Sequence, residues 1–339
     1  MPKLVRSSSL ANYLEVAQSV GLDPDRMLAR FGLFRHSLSN PDLKIPEEAV
    51  RGLLEASAVE AGIDDFGLRI AEQRVFSNLG PLALLIRDQP TVRKALEAWI
   101  QYRKVHTDSI ALHIEESHGR AIIRLSRSVE TPASKRQAVE LVIGVLCRMM
   151  RLILGEEWRP RVCFTHAAPR SRETHRRVFG SLVEFSGDFN GVICNASDLD
   201  APMPAADPNM VRYAQRFVDS IVRADESFSG KVRELARTML SSGRCRMERV
   251  AEHLGIDRKT VHRRLEAEGT TFTAIVDAVR TDMVEHHIED RRRPLSDFAE
   301  MLGFSDISAF SRWFKRRFGR SVSQWRANQA RSRIRAVPR

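Results

Sequence analysis

The sequence predicts two structural classes in one chain: an α+β domain over residues 1–200, then an all-α domain over 229–328. Three observations predict this. The hydrophobic period switches from helical to alternating and back within the first 200 residues. Beyond the segment Asp198–Asn209, with Pro202, Pro204 and Pro208, only helical patterning remains. Within that helical part, one pattern occurs twice. A chain of 339 residues, 43% of them hydrophobic, has material for two or three separate cores.

The first hundred residues read as helices. Leu10, Tyr13, Leu14 and Ala17 recur at helical spacing. Asp23-Pro24 and Ile45-Pro46-Glu47-Glu48 look like helix starts, with proline at the first helical position and acids in the first turn. Thr91 is placed to cap an amphipathic stretch through Leu96, Trp99 and Ile100. Then Ile110, Leu112 and Ile114 alternate, as do Ala121, Ile123 and Leu125. With His118-Gly119 between them, the two runs predict a β-hairpin. A long helix follows, with Val139, Ile143, Leu146 and Met150 on one face and Gly155 as its stop. Arg161–His166, Arg172–Phe179 and Val183–Phe185 predict strand, helix, strand, and Phe189–Asn195 one more strand. Residues 201–228 are expected to form a linker containing a helix, and 329–339 a frayed basic tail.

Charge is distributed as unevenly as structure. The formal net charge is +11; residues 231–339 hold 24 Lys+Arg against 14 Asp+Glu, and residues 1–230 hold 30 against 29. The excess therefore belongs to the helical domain, as expected of a nucleic-acid-binding unit appended to a neutral one. The four cysteines, Cys147, Cys163, Cys194 and Cys245, show no metal-ligand spacing and are expected to be reduced, mostly core thiols. The N-terminal stretch is too polar for a signal-peptide core, and Leu141–Cys147 is far shorter than the ~20 residues of a membrane span. A cytoplasmic protein that does not enter the membrane is expected, with no cofactor and no metal.

The repeat carries the functional reading. Arg249–Leu265 and Asp297–Trp313 each run short helix, turn, helix, and their glycines, Gly255 and Gly303, stand 48 residues apart. Ala251 pairs with Ala299, Leu254 with Leu302, Val261 with Ala309 and Leu265 with Trp313 at the same offset. The alanines let the two helices of each copy approach, and the glycines suit a tight left-handed turn. Leu254 with Ile256, and Leu302 with Phe304, fill the angle between helices. Asp257 in one copy, and Ser305 or Asp306 in the other, can cap the second helix. With Val261, Leu265, Phe310 and Phe314 turned to the core, Arg258, Lys259, His262 and Arg263 face outward in one copy. Ser305, Ser308, Ser311, Arg312, Lys315 and Arg316 are the corresponding candidates in the other. Such faces fit the major groove, where Arg reads guanine and Ser or His contacts bases or phosphates.

The run Gly303-Phe-Ser-Asp-Ile-Ser-Ala-Phe-Ser-Arg-Trp-Phe-Lys-Arg-Arg-Phe-Gly319 resembles the signature of the AraC/XylS family of bacterial regulators. The resemblance covers residues 229–328 and implies two helix-turn-helix units joined by a long helix, matched by Phe272–Asp290 with Arg280 inside. Two departures stand out: Val322 where the family usually has proline, and Val284, His286 and His287 where its connecting helix usually carries Ala and Leu. Leu79-Gly80-Pro81-Leu82 and Gln89–Leu96 are similar to the arabinose-binding-like N-terminal domain of regulators of the ornithine-utilisation type. Together these imply an N-terminal sensor domain followed by a DNA-binding domain. Double-stranded DNA is the implied partner, RNA polymerase a second if the protein activates, and a small-molecule effector and a homodimer are further expectations. No effector-binding residue stands out, and activation is the commoner outcome in the family.

Other features carry less. Adjacent His286 and His287, near Glu289 and Asp290, point about 100° apart on a helix and do not form a chelating pair. His113 and His118 are expected at the surface, Cys147 in the core, and Trp313 and Trp325 as core anchors. Cys245, between Arg244 and Arg246, is the one thiol with cationic neighbours in sequence, yet an inert thiol is the preferred reading. Arg291–Arg293 and Arg316-Arg317 are charge runs suited to phosphates. No hydrolase elbow, phosphate loop, zinc-protease helix or dinucleotide fingerprint occurs, so no enzyme is expected. An enzyme with a DNA-tethering tail and an architectural DNA-binding protein are the rival readings.

Overall fold

The structure is a computed structural model that describes residues 3–107, 110–127, 136–180, 182–240, 245–287 and 294–325. The expected basic tail, Arg291–Arg293, Glu289 and Asp290 lie outside the described residues. Two compact units divide between Val222 and Arg223.

The first unit opens with β1 (Leu4–Arg6), α1 (Tyr13–Ser19), α2 (Pro24–Arg30), α3 (Arg35–Ser39) and β2 (Lys44–Pro46). Asp23 caps α2, its side chain accepting from the Asp25 and Arg26 amides, and Pro24 takes the first helical position. At the second proline the expectation needs correcting. Ile45 and Pro46 belong to β2, antiparallel to β1, and helix α4 (Glu47–Ala61) begins one residue later. The β1–β2 ladder of three residues was too short to leave a period in the sequence. Next come α5 (Phe66–Glu72), α6 (Pro81–Arg87) and α7 (Val92–Tyr102); Thr91 caps α7 by accepting from the Lys94 amide at 3.3 Å.

The hairpin forms as its alternation predicts. Strands β3 (Ile110–Ser117) and β4 (Arg120–Arg127) pair antiparallel, with Leu112 opposite Leu125 and Ile114 opposite Ile123. His118 and Gly119 both take positive φ, as a two-residue hairpin turn requires. Helix α8 (Arg136–Leu154) ends at Gly155, and is followed by β5 (Arg161–Cys163), α9 (Glu173–Phe179), β6 (Val183–Glu184) and β7 (Asn190–Asn195). The five-stranded sheet runs β3-β4-β7-β5-β6, antiparallel except for β5 with β6. Ala121 and Ile123 from the sheet meet Ile143, Leu146 and Cys147 of α8 in one core. A second core, around Tyr13, Met27, Leu53 and Phe66, packs the N-terminal helices on the other side of α8, through Leu141.

The proline-rich stretch after β7 also belongs to this unit. Leu199 and Met203 are buried in the first core, and the Met203 amide donates to the Pro90 carbonyl at 3.2 Å. Helix α10 (Pro208–Glu226) adds Ala214 and Val218 to the same core. The segment expected as a linker thus carries core residues of the first unit as far as Val218.

The second unit is helical: α11 (Phe228–Leu240), α12 (Met247–Leu254), α13 (Arg258–Ala267), α14 (Phe272–His287), α15 (Leu295–Met301) and α16 (Ile307–Phe318). Helix α14 feeds three successive hydrophobic clusters. Ile275 joins Val250, Ala251, Val261 and Leu265 around α12 and α13. Val276 and Val279 pack on Ala236 and Leu240 of α11. Val284 joins Phe298, Leu302, Phe310 and Phe314 around α15 and α16. His286 and His287 fall at the end of α14. Both sequence departures with a described side chain, Val284 and Val322, are buried in the third cluster. No helix of the described residues is long and apolar enough to cross a membrane.

Candidate nucleic-acid interface

Two helix-turn-helix units are built by the same backbone hydrogen bonds. In the first, Gly255 ends α12 in the left-handed region at φ 66°, and the Ile256 amide donates to the Ala251 carbonyl at 3.1 Å. In the second, Gly303 has φ 70° and the Phe304 amide donates to the Ala299 carbonyl at 2.9 Å. A side chain at either glycine would be strained in that conformation, which is why the turn selects glycine. Up to this point the two copies coincide at the 48-residue offset.

After the turn they fall out of step by one residue. Asp257 caps α13, accepting from the Thr260 amide at 2.9 Å, whereas Asp306 caps α16, accepting from the Ala309 amide at 2.7 Å. Of the two candidate caps in the second copy, Asp306 is the one used, and the Ser305 hydroxyl donates to its carboxylate at 3.2 Å. The second turn is therefore one residue longer. Fully buried Val261 and Leu265 correspond to fully buried Phe310 and Phe314, not to Ala309 and Trp313 as a constant offset would have it. Trp313 is buried as expected, but at a position equivalent to exposed Arg264.

All ten candidate residues are exposed: Arg258, Lys259, His262 and Arg263 on α13, and Ser305, Ser308, Ser311, Arg312, Lys315 and Arg316 at and along α16. They are not equally available. Arg258 is held by Glu248 of α12 at 2.8 Å, and His262 lies 3.2 Å from Glu266 one turn on. Lys259, Arg263, Arg312, Lys315 and Arg316 make no ion pair among the described residues. With the offset corrected, Arg258 corresponds to Ile307, an exposed apolar residue at the first turn of α16, 44% accessible. Sequence reasoning passed over Ile307 because it took only polar and charged residues as candidate contacts. The backbone N–H of Thr260 holds Asp257, and that of Ala309 holds Asp306, below the usual carboxylate range.

Helix α14 fixes α16 through polar contacts as well as packing. Trp313 Nε1 donates to Asp277 at 2.9 Å and Arg317 Nε to Thr281 at 3.0 Å. Arg280 donates to the Leu302 carbonyl at 3.0 Å while its guanidinium covers the Phe304 ring at 4.1 Å. Arg317 is thus partly committed to the protein. Trp325 is half-buried against Phe314 and Phe318. Burial pushes the Cys147 and Cys194 thiols up to about 12, and it raises Cys163 and half-buried Cys245, the latter despite Arg280 nearby.

Paired exposed helices on a shared spine, beside a separate α+β unit, define a DNA-binding regulator with a distinct N-terminal domain. Comparison with known proteins agrees. Residues 21–203 match the arabinose-binding domain of AraC transcription regulators, N-terminal, and residues 250–328 match a helix-turn-helix domain. The regulator VirS of Mycobacterium tuberculosis is 31% identical over 334 residues, covering 96% of each chain. The ornithine utilization regulator of Pseudomonas aeruginosa is 24% identical over 263 residues, 77% of this chain and 78% of that one. The crystal structure of the regulator CdpR from Pseudomonas aeruginosa superposes with TM-score 0.45 at 20% identity, over 94% of this chain and 96% of that one. This chain belongs to the AraC family of transcription regulators, with a DNA-binding helix-turn-helix domain and an N-terminal ligand-binding domain. It is a regulator and not an enzyme.

Proposed function

We propose that the protein is a sequence-specific transcription activator that sets α13 and α16 in successive major-groove segments on one face of the duplex. The observation that carries this reading is the pair of exposed helices joined by α14, each with cations left uncommitted by the rest of the fold. Arg263 and Arg312 occupy equivalent outward positions and read bases; Lys259, Lys315 and Arg316 meet phosphates. Ile307 offers an apolar contact to a thymine methyl at the position where the first helix has Arg258. The first unit senses an effector or dimerises and so biases how DNA is engaged, and RNA polymerase is the downstream partner.

The test is selection from genomic fragments with the purified protein at two salt concentrations. A discrete enriched site about two helical turns long, bound more weakly at higher salt, is expected. Equal binding to every fragment would instead favour an architectural role. Within that site, Arg312→Ala is expected to cost about 1–3 kcal/mol at its own base positions. A uniform loss over all sequences would make Arg312 a phosphate contact.

A further inference from the structure

The first unit holds a cavity of about 100 Å³ between α4, α8 and the start of the hairpin. Its wall is mostly apolar, with Leu54, Trp99, Leu125, Val142 and Val145 among the lining residues. One side is not. Arg51, Arg74, Asn78 and His106 line it there, with Glu47 as the carboxylate on the same wall.

Arg74 is the unusual member. It is buried, and its guanidinium is held by the main chain: Nη1 donates to the Ser8 carbonyl at 2.5 Å and Nη2 to the Ser9 carbonyl. Its Nε has no hydrogen-bond partner and no carboxylate pairs with it among the described residues. Burial lowers it only to about 10, so it stays charged at neutral pH. His106 is enclosed beside it, and its Nδ1 is likewise without a partner. Burial first, then Arg6 and Arg74, push His106 down to about 3, so the ring is neutral. Asn78 accepts from the Val75 amide at 2.9 Å through Oδ1, which leaves its amide N–H groups for the cavity. A buried guanidinium Nε and a buried ring nitrogen without partners are costly unless a ligand completes them.

We infer that this cavity is the effector site and that it takes an amphipathic monocarboxylate, with its carboxylate on Arg74, Asn78 and His106 and its hydrocarbon or aromatic body among Trp99, Leu125 and Val142. This rests on reading the first unit as the ligand-binding domain, and it adds where and what. Arg51 is paired with Glu48 at 3.4 Å, so Arg74 is the guanidinium of this wall that no carboxylate pairs with among the described residues, and a single anionic head group would complete it. Two of the five guanidinium N–H groups of Arg74 already go to carbonyls, which leaves enough donors for a carboxylate and fewer for a phosphate dianion.

The test is calorimetric titration of the full chain with straight-chain carboxylates of six to fourteen carbons, with methyl decanoate and decyltrimethylammonium as neutral and cationic counterparts. One carboxylate per chain is expected to bind, with decanoate at least tenfold tighter than its methyl ester and no binding of the ammonium. Val142→Trp, which fills the cavity, is expected to weaken decanoate at least tenfold while Tm is kept. Arg74→Met is expected to bring the acid down to the affinity of the ester. Should that variant not fold, the acid–ester comparison on the unaltered protein still decides the head group. No binding of any carboxylate, equal binding of acid and ester, or undiminished binding by Val142→Trp would overturn the proposal. DNA binding by the same samples is measured separately, so a failed effector site is distinguishable from a failed regulator.

Discussion

Arg258 is exposed, basic and at the start of α13, yet Glu248 holds it at 2.8 Å. Contact with DNA would require that pair to open. Exposed pairs of this kind are worth little, so the barrier is small but has a sign. Glu248→Gln is expected to tighten DNA binding roughly two- to fivefold at low salt; weaker binding in a gel shift would show that Arg258 works only in its paired orientation. Acid acts on two other sets of residues. The capping carboxylates Asp257 and Asp306 sit below their ordinary 3.8, so what they add to stability is present above that value and lost as pH falls through their lower folded values. His106 acts earlier. The unfolded chain takes up a proton near 6.5 that the folded chain, with Arg6 and Arg74 facing the ring, refuses until about 3. Stability is therefore lost progressively as pH falls from 6.5 toward 3, and His106→Phe should flatten the decline of Tm between pH 7.5 and 5. An unchanged slope would place the sensitivity elsewhere.

Among the elements, α14 is the part on which the paired units depend. Ile275, Val279 and Val284 lie on one helix but in three clusters, so neither helix-turn-helix unit can shift without disturbing the spine. The indole bond from Trp313 to Asp277 is its polar counterpart. Asp277→Ala removes the acceptor and is expected to cost about 1–3 kcal/mol, read as a lowered urea midpoint; no change would mean water replaces the carboxylate. A second polar knot lies in the first unit, where fully buried Glu140 meets Arg136 at 2.8 Å and His175 at 2.9 Å. The elements with strong periods were legible beforehand: the hairpin, α8, and the glycine turns with their flanking helices. Three features were not. The β1–β2 pairing is too short for a period, and its Ile45-Pro46 mimics a helix start. The proline-rich stretch after β7 looks like a linker, but single residues such as Leu199 and Met203 anchor it, and no period reports that. The extra residue in the second turn was masked because Trp313 is large and apolar, and so passed for the counterpart of Leu265.

Over the whole molecule, charge and shape divide the work. The second unit carries nearly all of the net charge and presents two helical faces; the first is near neutral and encloses an apolar cavity with a cationic edge. The basic character and the outward residues of α13 and α16 were legible because helix periodicity fixes which side faces out. The cavity was not, because Arg74, His106 and Val142 come from three distant parts of the chain and only folding brings them together. The central claim is that both helix-turn-helix units engage one DNA site. Hydroxyl-radical footprinting on the selected site, with Arg263→Ala and Arg312→Ala in parallel, tests it most directly. Two protected segments about one helical turn apart are expected, each substitution weakening a different one. A single protected segment, weakened by one substitution and indifferent to the other, would contradict the account.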